Sequence, residues 1–295
     1  MKKFELIKAY QDNSTLRHSF NKLAEQTFGI DFEDWYQNGF WSNNYVPYSM
    51  LADGEIIANV SVNLMNFIWN GEKRFFIQLG TVMTREDYRN QGCIRGLMEE
   101  IEKDYGKKAE GMYLFANDSV LSFYPKFGYE KEMEYQYSKE VHICGERTVK
   151  QIPMRKKSDW DKLERAIRSS TIHSRFEMTE NIQLIMFYVT KYMQENVYYI
   201  KESDSYVIAE IEEENLMIHA VYSQTSVKKG TTVLDDIIRA FGEEIRYVTL
   251  GFTPLNTEGY TACEIQEDDT TLFLKGKSLT GFNKHNIMFP TLSHA

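Results

Sequence analysis

Val82-Met-Thr-Arg-Glu-Asp-Tyr-Arg-Asn-Gln-Gly-Cys-Ile-Arg-Gly96 carries an apolar strand through a short basic loop and straight into a helix. The strand reads over Ile77–Met83. In the helix, Ile94, Leu97, Met98, Ile101 and Tyr105 recur at spacings of three and four, which gives it one buried face. A strand feeding a loop that opens a helix is suited to holding a phosphate. The first helical N–H groups have no internal partner, the helix dipole is positive there, and Arg89 and Arg95 add fixed charge. Gly92 lets the backbone come close to such an anion. A second strand, Met112–Ala116, follows, then Asn117, then a helix expected over Ser119–Lys126 that includes Tyr124 and leads into Phe127-Gly-Tyr129.

Taken together and in this order, the two stretches resemble the GNAT superfamily of acyl-CoA-dependent N-acetyltransferases. That family's first signature is (Gln/Arg)-x-x-Gly-x-(Gly/Ala); its second is an Asn followed by a helix that ends near a Tyr and Phe-Gly-(Phe/Tyr). Arg89-Asn90-Gln91-Gly92 match the first four positions, while Ile94 stands where Gly or Ala is usual. With Arg95 the loop reads Arg-x-x-Gly-x-x-Arg. That form is similar to the tandem-domain Eis-like group, named for enhanced intracellular survival. The resemblance covers residues 45–140.

It implies acetyl-CoA as cofactor and a set of roles. Backbone groups of Val82, Met83 and Thr84 would pair with the pantetheine arm where two central strands splay apart. Arg89, Asn90, Gln91, Gly92, Cys93, Ile94, Arg95 and Gly96 would hold the pyrophosphate, and Asn117 would reach the cofactor from the second strand. Tyr124 would be the general acid, its ordinary pKa of about 10 lying close to that of the departing thiol. In Eis-like enzymes and tandem-domain N-myristoyltransferases the chain's own carboxylate acts as base, which points here to Ala295.

Plainer roles fit the same residues. Tyr124 is also suited to a core position, Asn117 to a helix cap, Arg95 to an exposed helix face and the last residues to an idle tail. Cys93 reads as a small packing residue, since this chemistry needs no acyl-enzyme.

Composition bounds the rest. A chain of 295 residues suits two domains of about 150 residues. No segment approaches the roughly 20 apolar residues of a membrane span. Three cysteines, odd in number and far apart, give neither a disulfide framework nor zinc spacing, so no metal is expected and a cytoplasmic location is. The net charge of −9 argues against a nucleic-acid partner, including an aminoacyl-tRNA donor, and suits a cationic substrate. A homo-oligomer is left open.

The expected fold class is α/β (α+β), with two tandem GNAT-like domains, each a mixed, mostly antiparallel sheet flanked by helices. Residues 1–141 form the catalytic domain, 142–156 a linker, and 157–295 a degenerate second domain with the order α-α-β-β-β-α-β. Asp53-Gly54 and Asn70-Gly71 mark two-residue hairpins, and a strand is expected over Tyr129–Val141. Lys228-Lys229-Gly230 reads as a solvated turn before it reads as a second phosphate loop.

The segment after the first helix interleaves Asp31, Glu33 and Asp34 with Phe32, Trp35, Tyr36, Phe40 and Trp41. Aromatics with carboxylates suit a cationic amine, so this segment is the expected substrate wall; a packing cluster with an acidic outer face is the alternative. The function these features imply is transfer of an acetyl group from acetyl-CoA to a primary amine. The acceptor would be a cationic small molecule such as an aminoglycoside or polyamine, or a lysine-bearing substrate. A non-catalytic acyl-CoA-binding regulatory module is the alternative, against which an intact Tyr124 speaks.

Overall fold

The computed structural model describes residues 4–224 and 233–294. Ala295 and Lys228-Lys229-Gly230 therefore lie outside the described residues. The chain begins β1 (Glu5–Lys8), α1 (Ser14–Phe28), α2 (Glu33–Gln37), β2 (Tyr45–Ala52), β3 (Glu55–Trp69) and β4 (Glu72–Thr84). It continues α3 (Cys93–Tyr105), β5 (Gly111–Ala116), β6 (Glu130–Lys131), β7 (Tyr135–Glu140), β8 (Lys150–Gln151) and α4 (Lys157–Ser169). Next come β9 (Phe176–Thr179), α5 (Ile182–Lys191), β10 (Val197–Ile200), β11 (Ser205–Glu212) and β12 (Asn215–Ser223). The last elements are α6 (Val233–Ala240), β13 (Tyr247–Leu250), β14 (Thr261–Glu264) and β15 (Thr271–Lys275).

Two mixed, mostly antiparallel sheets result. One runs β1-β2-β3-β4-β5-β15-β6, with β9 paired on β3; the other runs β14-β7-β13-β12-β11-β10-β8. Both expected hairpins form, with Asp53 and Gly54 at φ 52° and 81° and Asn70 and Gly71 at 50° and 84°. Two positive φ values in a row are what a type I′ turn requires. Asn13 caps α1: its side chain accepts from the backbone N–H groups of Thr15 and Leu16.

The sheets do not follow the expected division at 141/142. β15, from late in the chain, lies in the first sheet and pairs antiparallel with β5, from Thr271↔Ala116 to Lys275↔Met112. In return, β7 leaves the first sheet and pairs with β13 and β14 in the second. The expected strand Tyr129–Val141 is thus two strands separated by residues 132–134, where the chain crosses between sheets. Residues 142–156 are no plain linker either, since they contribute β8 to the second sheet.

The halves also share a core. Phe20, Phe32, Trp35, Trp41 and Tyr45 pack with Leu163, Met186, Val189 and Ile208. Phe32 stacks on Phe187 with centroids 5.5 Å apart. Among the described residues no helix is long and apolar enough to cross a membrane.

Candidate active site

β4 and β5 are parallel neighbours only from Phe76↔Gly111 to Gln78↔Tyr113. Beyond that point β4 runs on to Thr84 and β5 to Ala116 with no pairing between them, so the sheet opens. A bulge marks the opening. Asn59 pairs with Met83 and Ser61 with Gly80, leaving Thr81 and Val82 opposite Val60 alone. Thr81 sits at φ 48°, in the left-handed region. A bulge of this kind takes backbone groups out of the ladder and re-aims them.

Buried side chains hold that bulge in place. The Asn59 amide donates to the Thr81 carbonyl at 2.9 Å and to Ser61 Oγ at 2.9 Å. Ser61 Oγ donates to Tyr45 Oη at 2.8 Å, and Tyr45 Oη lies 2.8 Å from Thr81 Oγ1. Ser49 Oγ donates to Asn59 Oδ1 at 2.8 Å. Asn59 and Ser61 are fully buried, so the bulge is kept by a network with no water to replace a lost member.

The gap is the floor of an open cleft of about 1730 Å³, counting the space at its mouth. Val82, Met83, Thr84, Arg89, Asn90, Ile94, Asn117 and Tyr124, all expected site residues, line it. Gly92 caps α3 at φ 83°, and the first turn of α3 carries no acidic residue. The Arg89 side chain has no hydrogen bond or ion pair among the described residues, and the residue lines the same space. A helix start with an uncommitted guanidinium beside it fits a phosphate.

The remaining loop residues sit elsewhere. Gln91 donates to the Asp87 carbonyl, and Arg95 lies over the Phe127 ring at 5.4 Å. Cys93 is buried, and burial pushes its thiol pKa up, which suits packing and not nucleophilic attack. Gly96 allows α3 to approach β2: a Cβ there would lie 2.9 Å from Met50 Cε.

The expected helix Ser119–Lys126 is two short 3₁₀ turns, Asp118–Val120 and Tyr124–Phe127. Pro125 cannot continue a helix from the turn before it. Asn117 makes no backbone cap; its Oδ1 accepts from Ser119 Oγ at 2.6 Å. Tyr124 is buried against Tyr129 and Phe273, and burial pushes its phenol up to about 12. The hydroxyl therefore keeps its proton at neutral pH.

The expected substrate wall is corrected. Trp35 and Trp41 are core residues whose indole N–H groups donate to the carbonyls of Gln183 and Tyr45. Glu33 pairs with Arg17 at 2.7 Å, which holds its carboxyl below the usual range. Tyr36 stacks under the Arg17 guanidinium at 3.7 Å, and Asp31 Oδ1 accepts from the Glu33 N–H. Asp34 is exposed on the outer face of α2. None of these six residues lines the cleft; Thr27 and Phe28, at the end of α1, do.

His294 is a cleft residue that lies outside both motifs. It arrives on the final segment, which threads between the sheets. Phe289 stacks on Tyr113 with centroids 3.9 Å apart, and its N–H donates to Glu134 Oε1 at 2.7 Å. Burial raises the Glu134 carboxyl to about 8, against the pull of that hydrogen bond. Thr291 N–H donates to the Gly251 carbonyl at 2.8 Å. No group of three or more His, Cys, Asp or Glu among the described residues has the makings of a metal site.

A split parallel pair, an anion-ready helix start on one wall and a proton-bearing phenol on the other are an arrangement suited to acyl transfer. Residues 10–131 match the acetyltransferase (GNAT) domain family. The family uses acyl-CoA as co-substrate. No curated protein sequence matches the chain.

Solved structures do. A conserved protein of unknown function from Enterococcus faecalis V583, described as a probable N-acyltransferase, superposes with a TM-score of 0.61 at 17% identity, over 92% of this chain and 72% of its own. A GCN5-related N-acetyltransferase from Kribbella flavida gives 0.55 at 15%, over 92% and 71%. Eis1 from Mycobacterium abscessus gives 0.54 at 12%, over 92% and 72%. At these identities the likeness is one of fold.

Proposed function

We propose that the protein transfers an acetyl group from acetyl-CoA to a primary amine in the cleft between β4 and β5. The acceptor is a cationic small molecule, such as an aminoglycoside or polyamine, or a lysine side chain, and the reaction takes place in the cytoplasm. The observation that carries this is the split beyond Gln78↔Tyr113, with Arg89 uncommitted on one side and the Tyr124 hydroxyl on the other.

In this reading the pantetheine arm lies along Val82–Thr84, and the pyrophosphate sits at the start of α3 beside Arg89. Tyr124 gives its proton to the departing sulfur. The net charge of −9 favours the approach of a cation.

Release of free thiol from acetyl-CoA across a panel of amines tests the reaction. Calorimetric titration of Gly92→Glu tests the site. A carboxylate beside the α3 start, at a position held at φ 83°, is expected to abolish acetyl-CoA binding. Unchanged affinity would remove the pyrophosphate assignment. Tight binding without turnover of any amine would favour a regulatory acyl-CoA-binding module.

A further inference from the structure

The attacking amine must lose a proton, and the cleft offers few places to put it. Among the described residues that line it there is no carboxylate and one imidazole, His294. That imidazole is held on several sides. It stacks on Phe115 with centroids 3.8 Å apart and planes 28° from parallel. Tyr188 donates its hydroxyl to the His294 carbonyl, and Tyr113 donates to the Ser293 carbonyl at 3.4 Å.

His294 Nε2 is enclosed and has no partner among the described residues. A neutral imidazole protonated at Nδ1 presents a lone pair at Nε2. An enclosed acceptor without a donor calls for a group that the cleft receives from outside.

We infer that His294 Nε2 takes the proton from the attacking amine. This rests on the acetyltransferase reading above. The amine lone pair forms the C–N bond at the thioester carbonyl carbon. The C–S bond breaks, its electron pair leaves on sulfur, and sulfur takes the Tyr124 hydroxyl proton. The proton shed by nitrogen goes to Nε2, giving an imidazolium, and solvent then carries it back to the Tyr124 phenolate.

Burial holds the His294 pKa down at about 4, so Nε2 is vacant at neutral pH. A weak base suffices, because nitrogen becomes far more acidic as its lone pair enters the C–N bond. The facing titratable groups are Tyr124 and Arg89 across the cleft, Tyr113 and Tyr188 on the backbone side, and Glu134 behind Phe289.

The test uses the full chain, acetyl-CoA and the best amine of the panel, with thiol release as the readout. His294→Gln is expected to keep acetyl-CoA affinity and to lose about 10²–10⁴ of turnover, the usual scale of a general base. His294→Ala is expected to lose as much and to regain part of it when free imidazole is added. If the wild-type chain turns over no amine, the acetyltransferase reading fails and His294 loses this role with it. If the wild type is active and a variant that still binds acetyl-CoA matches it, the role of His294 alone is overturned. An inactive Ala variant that imidazole does not rescue, with acetyl-CoA binding weakened, assigns the ring to packing and overturns the inference as well.

Discussion

β4 and β5 stay paired only as far as Gln78↔Tyr113, and β12 and β13 only as far as Ile218↔Leu250. Each long strand carries a bulge just past its fork. In the first half Thr81 and Val82 face one residue; in the second His219 is the extra residue, between Ile218↔Ala209 and Ala220↔Ile208. The forks differ in what fills them. The first opens onto the cleft, whereas the second receives Thr291 from the final segment. Thr291 N–H donates to the Gly251 carbonyl, its Oγ1 lies 3.0 Å from His219 Nδ1, and a Cβ on Gly251 would come within 2.5 Å of that oxygen. The same backbone device that leaves room for an extended arm in one half anchors the chain's own segment in the other. Three residues later that segment delivers His294 to the open fork.

The largest way to break this contrast acts on the open fork. Tyr124→Phe keeps the ring packed on Tyr129 and Phe273 and removes the transferable proton. Turnover is expected to fall by about 10²–10⁴ with acetyl-CoA affinity unchanged. A loss of less than a few-fold would demote Tyr124 to packing.

Acting on the filled fork, Gly251→Leu places atoms where Thr291 Oγ1 now sits and expels the segment. Turnover is expected to fall at least about tenfold through misplacement of His294, with acetyl-CoA still bound at the other fork. Full activity would show that the segment's anchor is idle.

The smallest effect is on pH. The folded Glu134 carboxyl, raised to about 8, holds a proton that the unfolded chain releases near its ordinary value of 4.5, so its contribution to stability is lost as pH rises through that window. Glu177, raised to about 7, acts in the same direction and stays in place. Glu134→Gln keeps an acceptor for the Phe289 N–H and removes the titration. Its thermal midpoint should therefore fall less between pH 5 and 8 than that of the wild type. Parallel curves would mean that Glu134 does not titrate in the folded chain.

Features that depend on a few neighbouring residues were legible. The hairpins at Asp53-Gly54 and Asn70-Gly71 need only positive φ at two positions, and the loop before α3 is a local run of charge and glycine. Pro125 and Gly128 are a local signal against a continuous helix over Ser119–Lys126, which the expected helix did not take into account. Other features depend on distant partners. Thr271-Leu-Phe-Leu-Lys275 is not among the expected strands, and nothing in those five residues says that β5 is its neighbour. Trp35 and Trp41 look like a pocket until Gln183, Tyr45 and Phe187 supply their partners. Asn59 and Ser61, polar at alternate positions of an apolar strand, were the one available hint of the network around the bulge.

The exchange of β7 and β15 between the sheets has a thermodynamic consequence. A chain stopped at residue 141 would lack β15 and bare the β5 edge, Gly111–Ala116, whose residues are mostly apolar; such an edge invites pairing with other chains. The remainder would lack β7, the strand between β13 and β14. Neither half completes its own sheet, so the two are expected to unfold together, as a single calorimetric transition. Free energy gained by a ligand at the open fork is then spread over all the elements, and stabilises residues far from any atom it touches.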